Sequence, residues 1–197
     1  MTTRIHLVRH GHHPLLGRVL CGRMAGVGLD AQGALEMEAT AELLKATASN
    51  VLQSSPQRRT LQSAAIISAA LGLPVEVVPA FDEIDMGRWT GMEFSQLSDD
   101  SHWRQWNERR GSTSPPSGES MVALQKRVVD YLEQLRNVGG SIIVVSHAEP
   151  IRAALLHFLA IPLVRFHSID VEPASISTIT FERGQATVSS LQHEASA

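Results

Sequence analysis

Apolar residues alternate along this chain between short continuous runs and longer stretches at helical spacing. Residues 5–8 (Ile5, His6, Leu7, Val8) form a short, mostly apolar run and predict a buried strand. Residues 31–46 have helical periodicity, with Leu35, Ala39, Leu43 and Leu44 expected on the inward face. Residues 51–54 predict a short strand. Pro56 then opens a helix from about Gln57, which Gly72 and Pro74 stop. Residues 75–78 predict a third strand, and 81–91, rich in glycine and acids, an irregular loop. Residues 93–110 read as partly helical. Residues 111–118, with two prolines and several serines, read as a loop. An amphipathic helix follows over 119–136, through Val122, Leu124, Val128, Val129, Leu132 and Leu135. Gly139-Gly140 turns into a strand over 141–145, and Pro150 starts a helix to about Ala160. Residues 176–181 and 186–190 alternate, are joined at Gly184, and read as a hairpin at a sheet edge. Residues 193–197 read as a frayed tail.

Strands alternating with helices predict an α/β sandwich on a mostly parallel sheet. A chain of 197 residues is long enough for one full core and is expected to be a single domain. Its hydrophobic content of 43% and charged content of 19% are ordinary for a soluble globular protein. The net charge of −3, without a run of like charges, gives no reason to expect nucleic acid as a partner. An anion site must therefore be local. The single cysteine, Cys21, excludes an intrachain disulfide. The first residues carry no apolar stretch of signal length, and no apolar run is long enough to span a bilayer. No membrane partner is expected, and the cytoplasm is the expected compartment.

In a mostly parallel sheet, ligands bind beyond the carboxyl ends of the strands. That rule selects Arg9-His10, the helix start at Pro56-Gln57-Arg58-Arg59, the loop around Glu83, and His147. These residue types suit phosphoryl transfer. A neutral imidazole on His10 can attack phosphorus and divide one hard displacement into two easier ones. Arg9 and an arginine of the 58–59 pair would disfavour the imidazolium and match phosphate oxygens in fork geometry. Two such cations roughly offset a phosphate dianion, so no metal and no cofactor are needed. His147 can donate to the phosphoryl oxygens. The leaving alkoxide needs a proton, for which Glu83 is the best-placed donor, with Asp82 and Asp85 as competitors in the same loop. His6, inside its strand, is expected to be structural. A competing use of His10, His12 and His13 is to ligate zinc, though the acidic and cysteine ligands expected nearby are missing.

The order of these segments resembles the histidine phosphatase superfamily, also called phosphoglycerate mutase-like. Leu7-Val8-Arg9-His10-Gly11 is similar to its opening signature. Ser54 through Ala64 is similar to its second element, whose arginine lies four residues after the serine and so falls on Arg59. Glu83-Ile84-Asp85-Met86-Gly87-Arg88-Trp89-Thr90-Gly91 resembles the acid loop, with the acid at its first residue. Pro116-Ser117-Gly118-Glu119-Ser120 with Arg127, and Val144 through Ala148 with Ile151-Arg152-Ala153, resemble the remaining elements. The resemblance runs from about residue 5 to 161. It implies a three-layer α/β/α sandwich, catalysis by His10, Glu83, Arg9, Arg59 and His147, and substrate contacts from Arg9, Arg59, His147 and Ala148. His12-His13 stand where the family usually has Glu-Thr, and Leu16 where it often has a phosphate-touching asparagine. His13 is the expected substitute donor. Gly22-Arg23-Met24-Ala25-Gly26 resembles a substrate-facing loop and makes Arg23 a candidate specificity residue.

The expected activity is hydrolysis of a small phosphorylated metabolite through a phosphohistidine on His10, by a monomer or homodimer. The alternative is a cofactor-dependent phosphoglycerate mutase. A mutase must exclude water, which the family associates with a long basic insertion between the acid loop and the last histidine. Residues 92–115 are short and mix Arg104, Arg109 and Arg110 with Glu93, Asp99, Asp100 and Glu108, which favours hydrolysis. Trp103 and Trp106 in this segment are candidates either for the pocket wall or for the core. A non-catalytic phospho-ligand module on the same fold is disfavoured by the complete set of Arg9, His10, Arg59, Glu83 and His147.

Overall fold

The computed structural model describes residues 1–191. The chain runs β1 (Thr3–Arg9), α1 (Ala31–Lys45), β2 (Val51–Ser54), α2 (Arg58–Leu71) and β3 (Val75–Val77). It continues through α3 (Phe94–Leu97), α4 (Ser101–Glu108), α5 (Met121–Leu135), β4 (Gly140–Ser146), α6 (Ala148–Phe158), β5 (Ile176–Glu182) and β6 (Gln185–Leu191). The six strands make one sheet in the order β3-β2-β4-β1-β5-β6. β1, β2, β3 and β4 run parallel, and β5 and β6 form an antiparallel extension beyond β1. The turn between them places Arg183 (φ 51°) and Gly184 (φ 80°) in left-handed conformations, as a two-residue hairpin requires. The predicted tail at 193–197 lies outside the described residues. Among the described residues, no helix is long and apolar enough to cross a membrane.

Side chains alternate across a strand, so each central strand feeds two cores. Ile5, Leu7, Ile142 and Val144 pack with Leu124, Val128 and Leu132 of α5 and Ile151 and Leu155 of α6. Val8, Ile143 and Val145 pack on the other face with Met37, Ala41 and Leu44 of α1 and Ala64 and Ile67 of α2. The fold is a three-layer α/β/α sandwich. His6 is held in the sheet by Thr178 Oγ1 at 2.9 Å and Ser141 Oγ at 3.0 Å, a structural placement as expected.

The inward face of α1 differs from the predicted one. Leu35 and Leu43 are 66% and 39% exposed, and Ala39 is exposed too. The buried stripe is Gly33, Met37, Thr40, Ala41 and Leu44. The reason lies at the helix start, where Asp30 accepts from the Gly33 N–H at 2.9 Å. Gly33 rests directly on the loop after β1. A Cβ added at Gly33 would sit 2.1 Å from the His12 carbonyl oxygen, and one at Gly11 would sit 2.4 Å from the Gly33 oxygen. Only backbone without side chain allows that approach. In α5, Val122 is 52% exposed while Met121 is buried. α6 begins at Ala148, before Pro150, because a proline in a first helical turn lacks only an N–H that would be unpaired there anyway.

The sheet register sets the site. Arg9 pairs with Ser146, and Ser54 with Val145. One residue beyond, the His10 N–H donates to the Ser146 oxygen at 3.0 Å, and the Ser55 N–H to the Val145 oxygen at 2.9 Å. His10, Ser55 and His147 therefore leave three adjacent parallel strands at one level.

Candidate active site

His10 is 3% exposed, and its ring centroid lies 5.2 Å from that of His147 and 5.4 Å from that of His13. Its Nδ1 stands 2.8 Å from the Gly11 carbonyl oxygen, which can only accept. The proton is thereby assigned to Nδ1 and the lone pair to Nε2. Arg59 Nε donates to that Nε2 at 3.2 Å, and Arg59 Nη2 to the Gly22 oxygen at 2.7 Å. Burial first, then Arg59 and Arg9, hold the His10 pKa well below its ordinary value. The ring is neutral at neutral pH. Arg59 is 2% exposed and stands on His10, whereas Arg58 reaches the Gly26 oxygen on the exposed side.

His147 is fully buried as the N-cap of α6. Ser55 Oγ lies 2.7 Å from His147 Nε2 and 3.4 Å from Asp82 Oδ1. Burial, then Arg59, His10 and Arg9, push the His147 pKa well down. His147 Nδ1, His13 Nδ1 and Arg59 Nη1 are buried without a hydrogen-bond partner. Unpaired buried polar groups are costly, and here they cluster around one imidazole. Donors gathered in this way suit the oxygens of an anion.

Glu83 follows the turn at Pro79–Phe81 and is fixed through its backbone. Arg127 Nη1 donates to the Ala80 oxygen at 2.7 Å, and Arg127 Nη2 to the Asp82 and Glu83 oxygens at 2.7 and 3.1 Å. Arg127 is itself held by Glu119, with Nε to Oε1 at 2.7 Å. Those two residues of the fourth motif thus hold the acid loop. The Glu83 Oε2 lies 3.9 Å from His147 Nδ1, too far for a hydrogen bond. Burial and the charge of Glu149 raise the Glu83 pKa to about 7, against the opposing pull of Arg59, the Ile84 N–H and Arg9. Asp82 is turned to Gln57 Nε2 and the Glu83 N–H, both at 2.8 Å, and Asp85 to the Gly87 N–H at 2.8 Å.

These groups open into a cavity of about 130 Å³. Its polar lining is Arg9, His10, His13, Arg59, Glu83 and Glu149, with Ala148 at the first position of α6. Leu16, Val19, Leu20, Met86 and Phe94 supply apolar wall. Of the expected catalytic residues Arg9, His10, Arg59 and Glu83 line it, joined by His13 and Ala148, while His147 is packed against the His10 ring without lining it. Arg23 does not line the cavity. Its Nε donates to the Glu83 oxygen at 2.7 Å, its Nη2 to Glu119 Oε2 at 3.1 Å, and it faces Asp82, so it braces the acid loop. His12 pairs with Asp30 at 2.6 Å instead of joining His10 and His13, and among the described residues no group of three metal-ligating side chains forms. Trp103 and Trp106 stack with each other and with Trp89 and stay out of the cavity. The sequence reading missed Ser55 and Glu149. Each is a polar residue just past a strand end, the signal that selected their neighbours.

A sequence model of the histidine phosphatase superfamily, branch 1, matches residues 5–194. Phosphoserine phosphatase 1 of Hydrogenobacter thermophilus is 31% identical over 168 residues, covering 82% of this chain and 80% of that protein. A 2,3-bisphosphoglycerate-dependent phosphoglycerate mutase of Thermoplasma acidophilum is 24% identical, with 91% and 88% covered. The solved structure of a mycobacterial glucosyl-3-phosphoglycerate phosphatase superimposes with a TM-score of 0.86 at 21% identity, over 96% of this chain and 98% of that one.

Proposed function

Since the chain belongs to the histidine phosphatase superfamily, we propose that it hydrolyses a phosphomonoester of a small metabolite through a phosphohistidine on His10. The observation that carries this reading is the His10 Nε2 lone pair, 3.2 Å from Arg59 Nε, in one cavity with a Glu83 whose pKa is near neutrality.

In the first step Nε2 attacks phosphorus and the bond to the leaving oxygen breaks. Protonated Glu83 supplies the proton that the leaving alkoxide takes. Arg9 and Arg59 hold the phosphoryl oxygens, helped by Nδ1 of His147 and a ring nitrogen of His13, and stabilise the charge in transit. In the second step water attacks the phosphohistidine. The Glu83 carboxylate takes its proton, the P–N bond breaks with its electron pair returning to Nε2, and phosphate leaves. A cytoplasmic setting belongs to the same reading, supported by the lone, buried Cys21.

Hydrolysis is favoured over a mutase by the segment between the acid loop and β4. Of residues 92–115 only Phe94 lines the cavity. Arg104 is turned to the Ser98 oxygen, and Arg110 is buried against Glu149. Among the described residues no arginine of that segment lines the cavity. The test is phosphate release from p-nitrophenyl phosphate in EDTA, comparing wild type with His10→Ala, beside 3-phosphoglycerate offered with 2,3-bisphosphoglycerate. Release that needs His10 supports the reading. Isomerisation without release would mean a mutase.

A further inference from the structure

Glu149 has no part in the steps above, yet it is among the most elaborately held side chains at the cavity. It stands in the first turn of α6, two residues after His147, and lines the cavity together with Glu83. Arg110 Nη1 contacts its Oε2 at 3.2 Å, and Arg152 Nη1 approaches the same oxygen at 3.7 Å. Arg110 is 6% exposed, and its guanidinium lies 3.7 Å from the Trp106 ring centroid and 4.5 Å from that of Phe166. Its Nη2 donates to Asn107 Oδ1 at 2.7 Å. Arg152 is tied through Nε to the Ile169 oxygen at 2.7 Å. Burying an arginine between two aromatic rings is costly unless its charge is used. Here the charge fixes a carboxylate at the wall of the reaction site.

We propose that Glu149 is a positioning residue for proton transfer: clamped by Arg110 and Arg152, its negative charge keeps the transferable proton on Glu83. The inference rests on the hydrolase reading and adds to it. The surroundings of Glu83 need such a charge. His147 Nδ1, Arg9 and Arg59 face its carboxyl, Arg110 adds a more distant positive charge, and Arg23 and Arg127 bind its backbone oxygen. Against these stand the charges of Glu149 and of Asp82, which takes the Glu83 N–H, while Cys21, its pKa raised by burial, is a neutral thiol. Without Glu149 the balance tips toward the cations. Glu83 would then lose its proton at lower pH and fail as an acid where the leaving group needs one.

The test is the pH profile of kcat/KM for Glu149→Gln and Glu149→Asp against wild type, with an alkyl phosphate and with p-nitrophenyl phosphate. The expected result is a basic limb moved down by about one pH unit in Glu149→Gln. The wild-type advantage on the alkyl phosphate then grows roughly tenfold between pH 5 and pH 8, and much less on the aryl ester, whose leaving group needs no acid. Glu149→Asp, with its charge one methylene back, should fall between the two, and it carries the test alone if the amide variant does not fold. A basic limb unmoved in the folded variants, or a loss equal at every pH and on both esters, overturns the inference and leaves Glu149 a structural residue. Failure of wild type to release phosphate would instead overturn the hydrolase reading.

Discussion

Arg59 Nε points its proton at His10 Nε2 from 3.2 Å. On the proposed mechanism the guanidinium rests on the atom that bonds phosphorus, and an incoming phosphoryl oxygen takes over that hydrogen bond. One side chain then joins burial in keeping the imidazole neutral before binding and offsets the anion after it.

Replacing Arg59 by lysine keeps a charge but loses the fork that reaches both His10 and the Gly22 oxygen. A fall in kcat/KM on the order of 100-fold or more is expected on p-nitrophenyl phosphate. Arg58→Lys, on the exposed side, should stay within about twofold of wild type by the usual insensitivity of surface sites. Steady-state kinetics on the two variants check this, and equal losses would contradict the assignment.

The pH dependence has a defined sign. Glu83 acts as an acid only when protonated, and its pKa of about 7 makes activity on alkyl phosphates fall as pH rises through that value. His10 acts only when neutral, and its strongly lowered pKa puts the acidic limb far below 6.5. Glu83→Gln should abolish the basic limb and slow alkyl phosphates by about 100-fold or more, and aryl phosphates far less. Parallel rate–pH profiles on the two ester types decide it.

Stability should fall on acidification. His6 and His13 have folded pKa values lowered to about 4, so below 6.5 the unfolded chain takes up protons that the folded chain refuses. Each contributes stability that is present above 6.5 and lost as pH falls toward 4. His10 and His147 act in the same direction. Glu83 opposes them, because its raised pKa contributes stability at low pH that is lost as pH rises through about 7. His167, lowered by burial as well, makes five groups against one, and the melting temperature should drop by several degrees between pH 7 and pH 5. His6→Gln should flatten that slope by an amount on the order of 1 kcal/mol. Calorimetry across this range would refute the idea if the melting temperature stayed constant.

Gly33→Ala should destabilise the protein by about 2–4 kcal/mol, since its methyl would meet the His12 backbone and push α1 off the nucleophile loop. Activity should fall with it, because the same loop carries His10. Leu35→Ala, on the exposed face two residues away, should change stability by less than about 0.5 kcal/mol. Denaturant titration of the pair separates the two faces of α1.

That contrast also marks how far the sequence could be read. The strand ends were legible because buried parallel strands are continuous apolar runs, and the residues just past them, Arg9, His10 and His147, are polar. Arg59 became distinct from Arg58 only through the family spacing. The inward face of α1 was misread, because Leu35, Ala39 and Leu43 form a second apolar set beside Met37, Ala41 and Leu44, and the contacts that decide between the two are made by Gly33 and Thr40, which no hydrophobic pattern marks. Arg23 could not be placed either. Its partners are a backbone oxygen and Glu119, 96 residues away in sequence, and such a contact exists only once the chain has folded. Glu149 was missed for the same reason, since its significance depends on Arg110, in the turn after α4 and 39 residues away in sequence.

The pairing of Arg9 with Ser146 makes the site a gauge of how the sheet was assembled. A slip of one residue between β1 and β4 would shift His10 about 3.3 Å along the sheet relative to His147 and exchange the side chains that the strand presents to its two cores. No repacking nearby would restore the lost geometry. Turnover is then a property only of chains that have threaded β4 correctly between β2 and β1. A simple activity assay on refolded material would count those molecules alone, whatever fraction of the sample merely looks compact.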